Sequence, residues 1–362
     1  MATFRFVGKV DLNALDSKLP YMRKGKTGKG ADYASFNMSV APEKNNRAFV
    51  EVFGMKQDVI KTMNTDNEKI EINWEDRNDS DVVKQVAFYK RFFIELNGEK
   101  KEFISSYDYV QYLIEHADEI KGKEFIVRGS VNANVYNGNV SFRYSFSSMT
   151  EIDPDSDVKR EMMINSLYFW GADDIDTADW KKQQIINVNA YTYQYIDKDT
   201  GNKYVPTPFV IDVSRADLTN EKVVKVLSFK LKQLGMELVD RNIKTKIKKN
   251  TIVSLPIDCA YLNGNKEIEF DESQLNENQK MAIELGINTI DDFRPKGSIY
   301  GTRVTILKFK DCDLRDPYNN GCKVEDISLD DFNKEIFATV KEETVADIET
   351  ADDTSEIDEL FS

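Results

Sequence analysis

Apolar residues in the first 150 positions recur at every second residue, and that period predicts strands. TFRFVGKVDL puts Phe4, Phe6 and Val10 on one face and Arg5, Val7 and Lys9 on the other. YASFNMSVA sets Phe36, Met38 and Val40 against Tyr33, Ser35 and Asn37. RAFVEVFG, KIEINW and VKQVAFYKRFFIEL read as further strands, the last turning at Asn97-Gly98. SYDYVQYLIEHADEIKG changes to helical spacing over 107–120, with Ser106 near the N-cap and Gly122 just past the end. KEFIVRGSVNANVY and NVSFRYSFSS follow as strands joined through Asn137-Gly138, a strong hairpin signal. Three strands, extra strands, one helix and two strands is the order of a five-stranded OB barrel carrying an insertion, about 62–105, before its helix.

The second half repeats the style without a strict sequence repeat. REMMINSLYFWG, QQIINVNAYTYQYI and KYVPTPFVIDVS predict strands, and NEKVVKVLSFKLKQLG predicts a helix ending at Gly235. NTIVSLPIDCAYL is expected to turn at Asn263-Gly264, ESQLNENQKMAIELG to be helical, and GSIYGTRVTILKFKDCDL to close the set as a strand. The expected fold is mainly β with a few helices (a β-barrel, α+β chain), as two tandem OB-like barrels; a single larger mixed sheet is the alternative. The expected division is an OB domain over 1–150, a linker over 151–157, a second OB-like domain over 158–340 and a disordered acidic tail over 341–362.

Composition removes several function classes. With one histidine, His116, read as a helix-surface residue, and no Cys-x-x-Cys, phosphate-binding glycine loop or Gly-x-Ser-x-Gly, the sequence offers no catalytic residues, no metal ligands and no cofactor motif. A metal-dependent nuclease would rest only on acidic pairs such as Asp173-Asp174 and Asp291-Asp292. Three scattered cysteines, no signal peptide and no membrane-length apolar run fit a reducing cytoplasm, that of a host cell if the chain is viral. The net charge of −14 does not veto a nucleic-acid partner. Residues 341–362 alone carry −8 of it, whereas 1–56 hold ten Lys or Arg against five acids.

The basic excess concentrates in SKLPYMRKGKTGKGADY, between the first two strands. Lys18, Arg23, Lys24, Lys26 and Lys29 alternate there with three glycines beside Tyr21, a composition suited to clamping a flexible phosphate backbone. A solvated basic loop is the plain alternative. Strand phase then sorts the rings. Phe142, Tyr144 and Phe146 share a core face, which leaves Arg143 as the surface candidate. In AFVEVFG, Val50 and Val52 face the core and turn Phe49 and Phe53 outward, and Tyr33 is outward in the same way. Such rings suit base stacking; burial under the insertion is the competing account. Tyr191, Tyr193 and Tyr195 lie opposite polar Thr192 and Gln194 and are expected in the core or between domains. DRNIKTKIKKN could lengthen a phosphate track or stand as a solvated surface.

The chain ends in DTSEIDELFS: carboxylates around Leu360 and Phe361. With the glycine- and lysine-rich loop and the outward rings, this resembles the single-stranded DNA-binding proteins of bacteriophages and bacteria, over about 1–150 and 341–362. The resemblance implies a non-enzymatic protein that coats single-stranded DNA in replication, recombination and repair. It also implies a tail in which Asp358, Glu359, Leu360 and Phe361 recruit replication and recombination proteins and compete with DNA for the basic groove. The chain departs from the pattern by ending in Ser362 and by its length, which favours a phage version with a second barrel. A virion or assembly protein using OB-like barrels for protein contacts is the alternative.

Overall fold

The computed structural model describes residues 2–136, 139–267, 275, 277–284, 300–312 and 322–336. The acidic tail from Lys341, with Asp358, Glu359, Leu360 and Phe361, lies outside the described residues, as do Asn137-Gly138 and Asp291-Asp292. The chain is mainly β. Its first half runs β1 (Thr3–Asp11), β2 (Met22–Lys26), β3 (Asp32–Glu43), β4 (Asn46–Met55), β5 (Val59–Met63), β6 (Lys69–Asn73), α1 (Ser80–Gln85), β7 (Phe92–Leu96), β8 (Glu99–Phe103), α2 (Ser106–Glu115), α3 (Ala117–Ile120), β9 (Glu124–Tyr136) and β10 (Asn139–Glu151).

β1 pairs antiparallel with β3 and β9, β3 with β4, and β9 with β10. β10 meets β4 in parallel at Ser145 and Glu51, which closes the ring. This is the OB barrel, with α2 in its expected place before the fourth strand. Its N-cap is Ser105, one residue earlier than expected, whose hydroxyl accepts from the Asp108 amide at 3.3 Å. Tyr109, Val110 and Leu113 form the buried face of α2. The helix breaks at His116, whose Nδ1 lies 2.7 Å from Glu119 Oε1 and whose ring packs 4.1 Å from Tyr112.

The stretch expected as one strand from Val83 to Leu96 is three elements. Asp79 caps α1, accepting from the Asp81 amide at 2.8 Å. Val82, Val83 and Val86 then pack on Ile60, Ile72 and Ile104 in a small separate core. A single 3₁₀ turn at Phe88–Lys90 leads into β7, and Asn97 and Gly98 make the β7–β8 turn with φ of 54° and 79°. β7 then adds to the barrel by pairing in parallel with β10.

The second half runs β11 (Met162–Gly171), β12 (Ile175–Asp176), α4 (Trp180–Gln183), β13 (Ile185–Val188), β14 (Tyr191–Asp197), β15 (Gly201–Pro206), β16 (Phe209–Asp212), α5 (Glu221–Gln233), β17 (Met236–Val239), β18 (Asn242–Thr245), β19 (Thr251–Glu267), α6 (Glu277–Glu284), β20 (Tyr300–Cys312), β21 (Lys323–Ser328) and α7 (Leu329–Glu335). The pairing repeats the OB order. β11 pairs with β14 and β19, β14 with β15, β13 with β16 and β19 with β20, while β16 meets β20 in parallel at Val210 and Lys308. Beside that closing pair Lys308 Nζ sits 2.7 Å from Asp212 Oδ2. Burial works against ionising Asp212, yet hydrogen bonds from Lys308 and Ser214 prevail and hold its carboxyl at about 2. Asp174, one of the acidic pair considered for magnesium, accepts from the Gly171 amide at 2.6 Å.

Two expectations fail here. β19 runs straight through Asn263-Gly264, where a turn was expected. The tip of the β3–β4 hairpin docks there: Asn263 N donates to Asn46 Oδ1 and Asn263 Nδ2 to the Arg47 carbonyl, both at 2.9 Å. A turn signal inside an otherwise continuous strand here marks a close backbone approach. Second, the β14 faces are inverted. Thr192 and Gln194 are buried, satisfied by Thr192–Thr207 and Gln194–Thr192 hydrogen bonds of 2.9 and 3.2 Å, while Tyr193 and Tyr195 are exposed. Only Tyr191 of the three is covered, edge-on to Phe332 of α7.

The two halves are joined through hydrogen bonds and packing. β1 pairs with β11 from Thr3–Asn165 to Phe6–Met162 while also pairing with β9. Tyr261 of β19 stacks on Phe6 at 5.5 Å, inside the first core. The segment 152–161 between β10 and β11 is gathered by Arg160, which donates to the carbonyls of Asp153, Pro154, Ser156 and Val158 and to Glu124 Oε2.

Candidate nucleic-acid interface

The outer face of β3 and β4 carries the rings. Their core positions, Phe36, Met38, Val50 and Val52, are buried, so the alternating positions must point away from the core. Phe53 is 56% exposed and Phe49 46%; the insertion does not cover them. Register sets Ser35 opposite Phe53, Ser39 opposite Phe49 and Asn37 opposite Glu51, so the large rings face short polar side chains. Tyr33 and Phe53 stack on each other, centroids 5.7 Å apart at 27°. Arg143 reaches across from β10 to Glu51, Nε to Oε1 3.4 Å.

The basic segment is less of a loop than its glycines imply. Residues 22–26 pair with β3 from Met22–Phe36 to Lys26–Asp32, and a tight turn follows at 27–31, closed by the Thr27 amide on the Ala31 carbonyl at 2.8 Å. Gly25 lies opposite Tyr33, and a side chain on Gly25 would run into that ring; the glycine lets the phenol lie flat across β2. Arg23, Lys24 and Lys26 are therefore held on an edge strand, Arg23 on the face of the Tyr33–Phe53 stack and Lys24 and Lys26 on the opposite one. Lys24 donates to Gln111 of α2 at 2.8 Å and Lys26 pairs with Asp32 at 2.8 Å. That exposed pair is open to screening by salt. Lys29 sits in the 27–31 turn and Lys18 in the preceding loop. Among the described residues Lys18, Arg23 and Lys29 have neither a carboxylate nor a hydrogen-bond acceptor in reach of their charge.

Tyr21 does not join this surface. It packs edge-on to Phe36 at 5.9 Å, and Asn37 secures the segment by donating from its amide to the Tyr21 carbonyl at 2.7 Å and from Nδ2 to the Pro20 carbonyl at 3.3 Å. Its role is to seat the basic strand against the barrel. Tyr33, Phe53 and Arg23 share one face, whereas Lys24 and Lys26 alternate to the opposite face of β2, on the side of α2. Lys18 and Lys29 flank β2 in the chain, and Phe49 and Arg143 continue the ring face along β4 and β10. Sequence reasoning missed Phe88, 58% exposed, and Tyr89, 60% exposed, because a continuous strand was expected through them.

No known family model matches the chain, and no curated protein sequence matches it. Among solved structures it is similar to the wild-type single-stranded DNA binding protein from Thermus aquaticus, with 8% identity, a TM-score of 0.29, and 73% of this chain and 85% of that one covered. A deletion mutant of the same Thermus aquaticus protein gives 7% identity and a TM-score of 0.29, covering 73% and 87%. A score that low does not establish a shared fold. Among the described residues no helix is long and apolar enough to cross a membrane.

Proposed function

We propose that this chain is a single-stranded DNA-binding protein without enzymatic activity, of the phage type its sequence resembles, acting in replication, recombination and repair. One observation carries the reading: a mutually stacked ring pair on the outer sheet face, half-buried Tyr33 and exposed Phe53, beside an edge strand that presents Arg23 on the same face. Flat rings accept any base, and neighbouring cations neutralise the phosphates that connect the bases, so the site binds single strands with little regard for sequence. Fluorescence titration with oligo-dT at two salt concentrations tests it. The intact protein should bind, and binding should weaken steeply as salt rises. Replacing Lys18, Arg23 and Lys29 by alanine should flatten the log–log salt slope by up to about 2, since each phosphate left without its cation on a single strand takes away about 0.7. An oligo-dT that fails to bind at low salt would end this proposal.

The tail belongs to the same proposal. Nine Asp or Glu residues lie between Lys341 and Leu360-Phe361, a composition that suits a short peptide docking an apolar end in a partner's basic pocket. Phe361→Ala leaves the charge intact and should abolish capture of replication proteins from host extract, as should deletion of 342–362. If intact, truncated and substituted proteins capture the same set, the tail is a solubilising extension.

A further inference from the structure

Beyond Phe53 the wall of the first barrel falls into a groove of about 1120 Å³ that continues to the second barrel. Its floor is backbone and hydroxyls, Gly129 and Ser130 of β9 with Ser145 and Ser147 of β10, at the point where the β9–β10 register shifts between Phe146 and Ser148. Phe53, Phe88 and Phe93 form one side, Phe88 and Phe93 lying 5.8 Å apart. Tyr89, also on the lining, has its hydroxyl tied to Asn67 at 2.7 Å.

Three arginines line the groove, and two of them are unbalanced. Arg91 is satisfied by Glu102 at 2.8 Å and by the carbonyls of Val86 and Lys84. Arg5 and Arg128 are cross-strand partners in the β1–β9 register, like charge directly opposite like charge. Such a pair opposes folding. Neither guanidinium has a carboxylate or hydrogen-bond acceptor among the described residues. Partial burial, and then the neighbouring Arg5, push the Arg128 guanidinium below its ordinary value. The single carboxylate among the described lining residues, Asp258, is on β19 and is held by Asn165 Nδ2 at 2.8 Å. An anion placed between Arg5 and Arg128 would relieve the repulsion and fill both planar donor sets.

We propose that this groove is a second phosphodiester site, which carries a single strand from the Tyr33–Phe53 pair across the barrel wall. Arg5 and Arg128 clasp its phosphates, and Phe88 offers a face to a base. Charge alone would also admit an acidic peptide, but a row of rings on one side of the groove, with Phe53 and Phe88 exposed, beside two guanidinium groups without a carboxylate partner matches a polymer that carries both bases and phosphates. The inference rests on the single-strand reading above.

The test is anisotropy titration of the full chain with oligo-dT of about 6 and about 25 nucleotides, lengths chosen against the few nucleotides one barrel face covers. Arg5→Ala/Arg128→Ala should leave the short oligomer unchanged, weaken the long one about tenfold or more, and lower its salt slope by about 1.4, the share of two phosphates no longer neutralised. Its melting temperature should not fall, since a repulsion has been removed. Should the double variant misfold, Phe88→Ala, at an exposed position, must show the same split between short and long oligomers. If intact protein binds both lengths and neither variant separates them, the groove assignment is wrong while single-strand binding stands. If intact protein binds neither length, both fall. If poly-glutamate competes for the arginines as well as the long oligomer does at equal charge, the site is a general anion cradle and the nucleic-acid assignment is overturned.

Discussion

Replacing Tyr33 and Phe53 together by alanine should cut oligo-dT affinity by about 5- to 150-fold for each base that loses its stacking surface, at about 1–3 kcal/mol per base. The same double variant should melt within a few degrees of the intact protein, because Phe53 is exposed and half-buried Tyr33 lies outside the core cluster, and substitutions away from the core change stability by about 0.5 kcal/mol or less each. That separation decides the matter: a ring that belongs to the core takes stability with it, whereas a binding ring takes affinity. Truncating buried Phe36, on the opposite face of the same strand, should show the reverse, a loss of about 3–5 kcal/mol in stability. Gly25→Ala keeps both rings but crowds the Tyr33 phenol, and its affinity should fall between intact and double variant. Equal affinity in all of these proteins would remove the ring pair from the binding site.

A clear loss of stability is expected at Gly264→Ala. A methyl group there would overlap the carbonyl oxygen of Asn45, a backbone atom that no rotamer change can move. The hairpin tip at 44–46 would have to lift from β19, breaking both hydrogen bonds that Asn263 makes to it. Overpacking of this kind costs about 1–3 kcal/mol and sometimes more, so the melting temperature should drop by about 2–10 °C. Gly28→Ala, in open space within the basic turn, should leave it unchanged. A Gly264→Ala protein that melts like the parent would mean that the hairpin tip does not rest on the second barrel.

Much of the fold could be read from strand phase. The alternation in TFRFVGKVDL and AFVEVFG separates buried Phe4, Phe6, Val50 and Val52 from exposed Phe49 and Phe53, because a two-residue period leaves little choice of face. Phase failed where polar residues satisfy one another inside. Thr192, Gln194 and Thr207 form a closed hydrogen-bonded set, so burying them is tolerable and their tyrosine neighbours can face water. The Val82, Val83 and Val86 set carried a helical spacing obscured by the aromatic run that follows it. Asn263-Gly264 carried a turn signal whose meaning depends on a hairpin more than two hundred residues away. The Arg5–Arg128 pair was beyond any local reading: each is an ordinary outward arginine on its own strand, and only the β1–β9 register brings them face to face.

β1 has no idle edge, and this bears on how the protein can be taken apart. Its Thr3–Phe6 stretch is shared between β9 and β11, and Tyr261 from the second half completes the aromatic packing around Phe6. Cutting the chain in the acidic stretch after Glu151 would leave an N-terminal fragment with a bare strand edge and a hole beside Phe6. Such an edge is a template for pairing with another chain. The fragment would therefore trade a partner in its own chain for copies of itself. The protein has two barrels but one indivisible unit of assembly, and any shortened version must retain the strands on both sides of β1.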